Sequence, residues 1–216
     1  MNFHDLLNRT KLIAILRGIP SEMLLDVLDV LYENGIRLAE ITFDATDDVP
    51  DEGTASDIGR AVSHMDGRML IGAGTVIRRN QVELTAAMGG SFIISPNMDP
   101  AIIEYTKQRG LISLPGAMTV SEVCDAVNAG ADYVKLFPAN VLGPAFVKAI
   151  LAPLRNAQLL AVGGITPDNI GDYLNAGCVG FGVGSGIANG ALCAEGRLDI
   201  IAQNARNFVN AVEAAR

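Results

Sequence analysis

The chain has 216 residues, half of them apolar, with 24 acidic against 16 basic side chains and a formal charge of −8. That length and apolar content are enough to bury one core, so residues 1–216 are expected to form a single domain. The acidic balance, with no basic stretch or aromatic–basic interleaving, excludes a surface built to neutralise nucleic-acid phosphates, and any bound anion must be held by a local arrangement.

From the N-terminus, segment 2–10 carries Phe3, Leu6 and Leu7 and reads as a short helix ahead of the first strand. Eight short apolar runs then read as strands, at 12–16, 38–42, 69–72, 92–95, 111–114, 133–136, 159–162 and 179–183. Helical patterns follow them at 21–34, 54–65, 79–88, 99–109, 119–129, 144–153, 167–176 and 197–214. Ser21, Asp99-Pro100, Thr119 with Glu122, and Thr166-Pro167 look like helix starts, and Gly35 ends the first of these helices. Segment 44–53 is the most acidic stretch and reads as a solvated loop after the second strand, at the active face, either a plain surface loop or a lid. Eight repeated strand–helix units at this length predict a (β/α)8 TIM barrel. An open doubly wound sheet is the structural rival. No Gly-x-Gly-x-x-Gly follows the first strand, so a dinucleotide fold lacks support.

Cys124, Cys178 and Cys193 have no metal-ligand spacing and read as reduced, structural thiols. His4 and His64 fall away from strand tips, and no His/Asp/Glu set has convincing metal spacing, so neither a metal nor a cofactor is expected. The N-terminal residues lack the charged and apolar regions of a signal peptide, and no apolar run reaches 18 residues, so a soluble, cytoplasmic protein is expected.

A (β/α)8 barrel keeps its chemistry at the C-terminal ends of its strands. There this chain puts Arg17, Glu40, Thr42, Thr75, Pro96, Asn97 and Lys135. Glu40 and Lys135 each interrupt an apolar strand, and a buried charge alone is costly, so each needs a partner. One reading is a structural ion pair. The other is a desolvated lysine whose neutral amine attacks a ketone, with the glutamate moving protons. Gly163-Gly164-Ile165 after the seventh strand and Gly184-Ser185 after the eighth let backbone approach a ligand, where such barrels hold phosphate. Tight glycine turns with no ligand are the plain alternative.

Ordered pieces along the chain carry a specific likeness: Ile-Leu-Arg-Gly (15–18), Ala-Glu-Ile-Thr (39–42), Gly-Ala-Gly-Thr-Val (72–76), Ile-Ser-Pro-Asn (94–97), Leu-Pro-Gly-Ala-Met-Thr (114–119), Tyr-Val-Lys-Leu-Phe-Pro-Ala (133–139) and Val-Gly-Gly-Ile (162–165). Together they resemble the 2-keto-3-deoxy-6-phosphogluconate / 4-hydroxy-2-oxoglutarate aldolase family. The resemblance implies a metal-independent, Schiff-base lyase of trimeric assembly that releases pyruvate and either glyceraldehyde 3-phosphate or glyoxylate. It implies Lys135 as the imine-forming amine, Glu40 as general acid/base, Thr75 at the pyruvate carboxylate, and the loops at Gly163–Ile165 and Gly184–Ser185 at the phosphate. Two positions depart from the phosphogluconate pattern. Asp44 replaces an arginine that contacts the carboxylate, leaving Arg17 to substitute, and Val162 replaces a threonine before the paired glycines. Both features resemble phosphogalactonate-type members. A phosphate-binding isomerase or epimerase barrel and a non-catalytic ligand-binding barrel remain the rival readings.

Overall fold

The computed structural model describes residues 2–46 and 50–216. In chain order its elements are α1 (Phe3–Thr10), β1 (Leu12–Leu16), α2 (Leu24–Glu33), β2 (Leu38–Thr42), α3 (Asp51–Met65), β3 (Leu70–Gly74), α4 (Arg79–Ala87), β4 (Phe92–Ile94), α5 (Pro100–Gln108) and β5 (Ile112–Leu114). They continue with β6 (Gly116–Ala117), α6 (Val120–Asn128), β7 (Val134–Leu136), α7 (Ala139–Leu151), β8 (Leu159–Val162), α8 (Ile170–Ala176), β9 (Gly180–Val183), α9 (Gly190–Ala194) and α10 (Leu198–Ala214).

The strands form one parallel sheet in the order β5-β4-β3-β2-β1-β9-β8-β7-β6. Its two ends, β5 and β6, are consecutive in the chain and separated only by Pro115. Proline has no N–H to give a neighbour, so it divides one run into two ladders. β5 pairs with β4 and β6 with β7, and the Tyr133 N–H donates across the seam to the Ser113 carbonyl at 3.2 Å. This run is thus one of the eight staves of a near-closed barrel ringed by helices, the fold the alternation predicted.

Alternation along each strand sends one set of side chains toward the helices and the other into the barrel. Ile13, Leu38, Phe92, Ile94, Leu114, Tyr133 and Leu160 make a separate inner cluster. Phe3, Leu6 and Leu7 of α1 pack into it, so this helix closes the N-terminal end, each fully buried side chain contributing about 1.5–3 kcal/mol. Ala39, Ile41 and Ala73 face outward into the larger cluster beneath the helices. Inner glycines make room for large neighbours. A Cβ on Gly74 would lie 2.5 Å from Glu40 Oε1, and one on Gly182 2.9 Å from Val162 Cγ2.

Asp99 and Thr119 cap their helices as expected. The Asp99 carboxylate accepts the Ala101 N–H at 2.9 Å, and Thr119 and Glu122 exchange bonds in a capping box. Two helix starts differ. α2 begins only at Leu24, because the Ser21 hydroxyl is engaged across the helices, donating to Asp57 and accepting from Arg60 Nη1 at 2.7 Å. α8 begins at Ile170, because the Asn169 Oδ1 accepts the Thr166 N–H at 3.0 Å and leaves 166–169 as a turn. α3 starts at Asp51, inside the segment expected as an acidic loop, of which residues 47–49 lie outside the described residues. α7 joins two helical pieces across a kink at Gly143 (φ 76, ψ 166): a short one from Ala139, which the periodicity did not announce, and the expected helix from Pro144 onward. Two short elements, β6 and α9, escaped the sequence pattern altogether. Among the described residues, no helix is long and apolar enough to cross a membrane.

Candidate active site

The inner rows of β2 and β7, on opposite sides of the barrel, lead upward from hydrocarbon to chemistry. β2 presents Leu38, then Glu40, then Thr42, and the run through β7 presents Tyr133, then Lys135, then Phe137. Glu40 is 1% exposed and Lys135 7% exposed. Their charges interact, yet among the described residues no ion pair within 4.0 Å joins them. The structural ion pair is therefore not what the barrel builds.

Burial raises the Glu40 carboxyl to about 7, against the opposing pull of the Lys135 and Arg17 charges. Its Oε2 is buried and accepts no hydrogen bond. Burial also lowers the Lys135 ammonium below its ordinary value; Glu40 opposes that shift and Arg17 adds to it. The Phe137 ring centroid lies 4.9 Å from Lys135 Nζ, so a cation at this nitrogen faces an aromatic ring. The site thus holds an amine eased toward its neutral form beside a carboxyl able to take or give a proton near neutrality.

Arg17, just beyond β1, donates from Nη2 to Thr75 Oγ1 at 2.9 Å, joining the tips of β1 and β3 across β2. Thr75 has φ 58, a left-handed backbone that costs a β-branched residue of order 1–3 kcal/mol. The pair offers a guanidinium and a hydroxyl at the barrel mouth, a combination suited to a carboxylate. Asp44 turns back on its own loop, where Oδ1 accepts from the Thr46 N–H at 2.8 Å and the Thr46 hydroxyl at 2.7 Å. Those bonds hold its carboxyl below the usual range. A cavity of about 560 Å³ opens between the loops after β1 and β2, walled in part by Arg17, Thr42, Asp44, Thr54 and Asp57. Glu40 and Lys135 lie off its wall. The exposed Pro96 sits over the neighbouring stave, its carbonyl within 2.2 Å of where a Gly116 Cβ would be, and Gly116 is in register with Lys135.

Across the mouth, Val162 is 5% exposed on the inner wall of β8. Gly163 and Gly164 follow with φ 94 and 68, and Ile165 is buried behind them. Among the described residues, the N–H groups of Gly164, Ile165, Gly184 and Ser185 donate to no backbone or side-chain acceptor. β8 and β9 are adjacent, so these free donors converge from two loops, which is the arrangement an oxyanion needs.

Phe137 and Asn140 belong to this region, although sequence reading did not single them out. The Phe137 ring lies 3.4 Å from a would-be Gly163 Cβ, and the Asn140 side chain crosses Gly164, 2.4 Å from the corresponding point. The two-residue step from Lys135 was the one signal that marked Phe137. His4 and His64 are elsewhere: His4 Nδ1 meets the Tyr133 hydroxyl at 2.8 Å beside the α1 plug, and His64 Nε2 meets Asp29 at 2.8 Å. The three cysteines are free thiols, and burial pushes the Cys178 thiol up to about 12, far from a reactive thiolate. Among the described residues, no group of three His, Cys, Asp or Glu is placed to hold a metal ion.

Comparison with known proteins agrees with this geometry. The family model described as KDPG and KHG aldolase matches residues 3–204. A probable 2-dehydro-3-deoxy-6-phosphogalactonate aldolase of Rhizobium meliloti (strain 1021) is 40% identical over 177 residues, 82% of this chain and 81% of the relative. The 2-dehydro-3-deoxy-6-phosphogalactonate aldolase of Escherichia coli (strain K12) is 34% identical over 205 residues, 94% of this chain and 95% of the relative. A solved structure described as native KDPGal superposes with a TM-score of 0.85 at 34% identity, covering 94% of this chain and 95% of that one. The protein therefore belongs to the KDPG and KHG aldolase family and is closely related to its phosphogalactonate-type members.

Proposed function

We propose that the chain, as one catalytic domain over residues 1–216, is a class I aldolase that cleaves a 2-keto-3-deoxy-6-phospho sugar acid of the phosphogalactonate type to pyruvate and glyceraldehyde 3-phosphate. The observation that carries this reading is the buried Lys135, free of any ion pair among the described residues and electrostatically coupled to a carboxyl that titrates at about 7. The phosphogalactonate preference rests on the two relatives so named and on Val162 and Arg17, whose places differ from the phosphogluconate pattern.

The neutral amine of Lys135 adds to the C2 ketone, and the carbinolamine takes a proton from the Glu40 carboxyl, through a water, and loses water to leave a protonated imine and a Glu40 carboxylate. The imine is the electron sink, so the step calls for no metal. Glu40, through a water, takes the C4 hydroxyl proton; the C3–C4 bond breaks and the aldehyde departs. The remaining enamine takes a proton at C3, and hydrolysis of the imine frees pyruvate and Lys135. Arg17 and Thr75 hold the keto-acid carboxylate, and Pro96 lines the same end. Gly163, Gly164 and Ile165 with Gly184 and Ser185 hold the distal phosphate, and Val162 contacts the carbon chain between them. The site thereby draws an anion to a chain of charge −8 through backbone donors.

A cytoplasmic homotrimer is the form we assign to it, with no nucleic-acid or membrane partner. The three free thiols suit a reducing compartment. Exposed Met118 and Val120 at the start of α6, with Phe137 and Val141 at the start of α7, form an apolar rim that a second copy of the chain would cover.

Borohydride reduction in the presence of pyruvate tests the reading. The expected result is a pyruvate-derived mass on Lys135 and none on the Lys135→Ala variant. An unmodified Lys135 would sink the aldolase mechanism and favour a phosphate-binding isomerase. Cleavage rates on phosphogalactonate-type, phosphogluconate-type and unphosphorylated 4-hydroxy-2-oxoglutarate substrates test the specificity, and equal rates with and without phosphate would discredit the anion loops.

A further inference from the structure

Gln81 is the third residue of α4, polar, and yet 0% exposed. Its carboxamide oxygen accepts the Ile77 N–H at 2.9 Å and the Arg78 N–H at 3.2 Å, the two consecutive donors that close the turn begun by Thr75. Its amide nitrogen donates to Asp51 Oδ1 at 2.9 Å, and Asn80 donates to Asp51 Oδ2 at 2.8 Å. Asp51 opens α3 and ends the loop that follows β2. On the other side of the same turn, the Val76 N–H donates to the Ile94 carbonyl at 3.2 Å.

A glutamine that reaches back to the N–H groups before its helix is usually a helix cap. This one does more than a cap requires. It sits in the interior, bonds two successive N–H groups, and fastens them to the first residue of a neighbouring helix, α3. The turn that it closes contains Thr75 in a left-handed conformation (φ 58), which is unfavourable for a β-branched residue and persists only where surrounding bonds hold it. The Thr75 hydroxyl in turn orients Arg17.

We infer that Gln81 is a positioning residue for the carboxylate end of the keto acid: its buried carboxamide holds the Thr75 turn in its strained form and locks it to the start of α3 through Asp51. The inference rests on the aldolase reading above. It places the recognition of the carboxylate under the control of a side chain that touches no substrate. The consequence is a binding effect with little effect on bond breaking, because Lys135 and Glu40 stand on other strands.

A double-mutant cycle tests it, using deuterium exchange into the methyl group of pyruvate by the intact enzyme. Gln81→Leu is expected to raise the KM for pyruvate about tenfold, the loss of a hydrogen bond's discrimination, with kcat changed by less than about twofold. Thr75→Val removes the hydroxyl while keeping the branched shape and the backbone strain. In that background Gln81→Leu is expected to add nothing, since no oriented hydroxyl is left to misplace. Asp51→Ala should repeat the pattern from the other side of the lock, and serves as the test if Gln81→Leu does not fold. Asp51→Asn, which still accepts from Gln81, should restore a near-native KM. Additive effects in the cycle, or a lowered melting temperature with an unchanged KM, would reduce Gln81 to a helix cap and overturn the inference alone. Failure of the wild-type protein to exchange or to be trapped on Lys135 would overturn the aldolase reading and this inference with it.

Discussion

The residues that define the site are ordinary in type and unusual in placement. Glu40 titrates at about 7 where a free carboxyl would titrate at 4.5, so the folded chain holds this proton more tightly than the unfolded chain does. Stability from this group is therefore full at low pH and is lost as pH rises from about 4.5 to about 7. Lys135, lowered by burial, acts in the opposite sense: the folded chain gains stability as pH rises from that lowered value toward 10.5. Glu40→Gln is expected to stabilise the protein by roughly 3 kcal/mol at pH 8 and by almost nothing at pH 4, measured by thermal melts at both values. Equal gains at the two pH values would show that the carboxyl is not desolvated. The same variant should lose about 10²–10⁴ of kcat, and the wild-type rise of rate with pH near 7 should vanish with it. Both charged residues were legible in the chain, because each breaks an apolar strand. Phe137 was passed over, since its two-residue step from Lys135 is a faint mark in an apolar run, and Gln81 was lost among the polar residues that open any helix.

At the scale of elements, the loops after β8 and β9 show how local backbone decides ligand chemistry. Gly164 needs both its positive φ and its missing side chain, since a Cβ there would meet Asn140 at 2.4 Å. Gly164→Ala is expected to push the loop away from its neighbour and raise the KM for a phosphorylated substrate about tenfold, while pyruvate exchange at Lys135 continues unchanged. Steady-state kinetics on the two reactions separate these effects; a matched loss in both would mean that the loop supports the lysine rather than the phosphate. The caps at Asp99 and Thr119 were readable because their partners lie within three residues. Ser21 misled because its partners, Asp57 and Arg60, come from α3, and a local pattern cannot announce a distant competitor. β6 was invisible for a related reason: two residues after a proline carry no period, and only pairing with β7 makes them a strand.

For the whole molecule, the apolar rim near Val141 bears on assembly. Val141 is 65% exposed, and if the proposed assembly uses this rim, Val141→Asp is expected to shift sedimentation to smaller species while leaving the isolated barrel folded. Unchanged sedimentation would place the interface elsewhere. The amino-acid sequence by itself determined the repeated strand–helix units, the barrel they imply, and the candidate amine, acid and glycine loops, because hydrophobic period, glycine and isolated charge are local properties. Tertiary structure alone decided which of these groups meet. Alternation assigns a side chain to a face but not to a height, and heights follow from pairing register and from the closure of β5 and β6 around Pro115. That closure brings Arg17, Glu40, Thr75 and Lys135 to one mouth, and it buries the lysine and the glutamate deeply enough to move their protons.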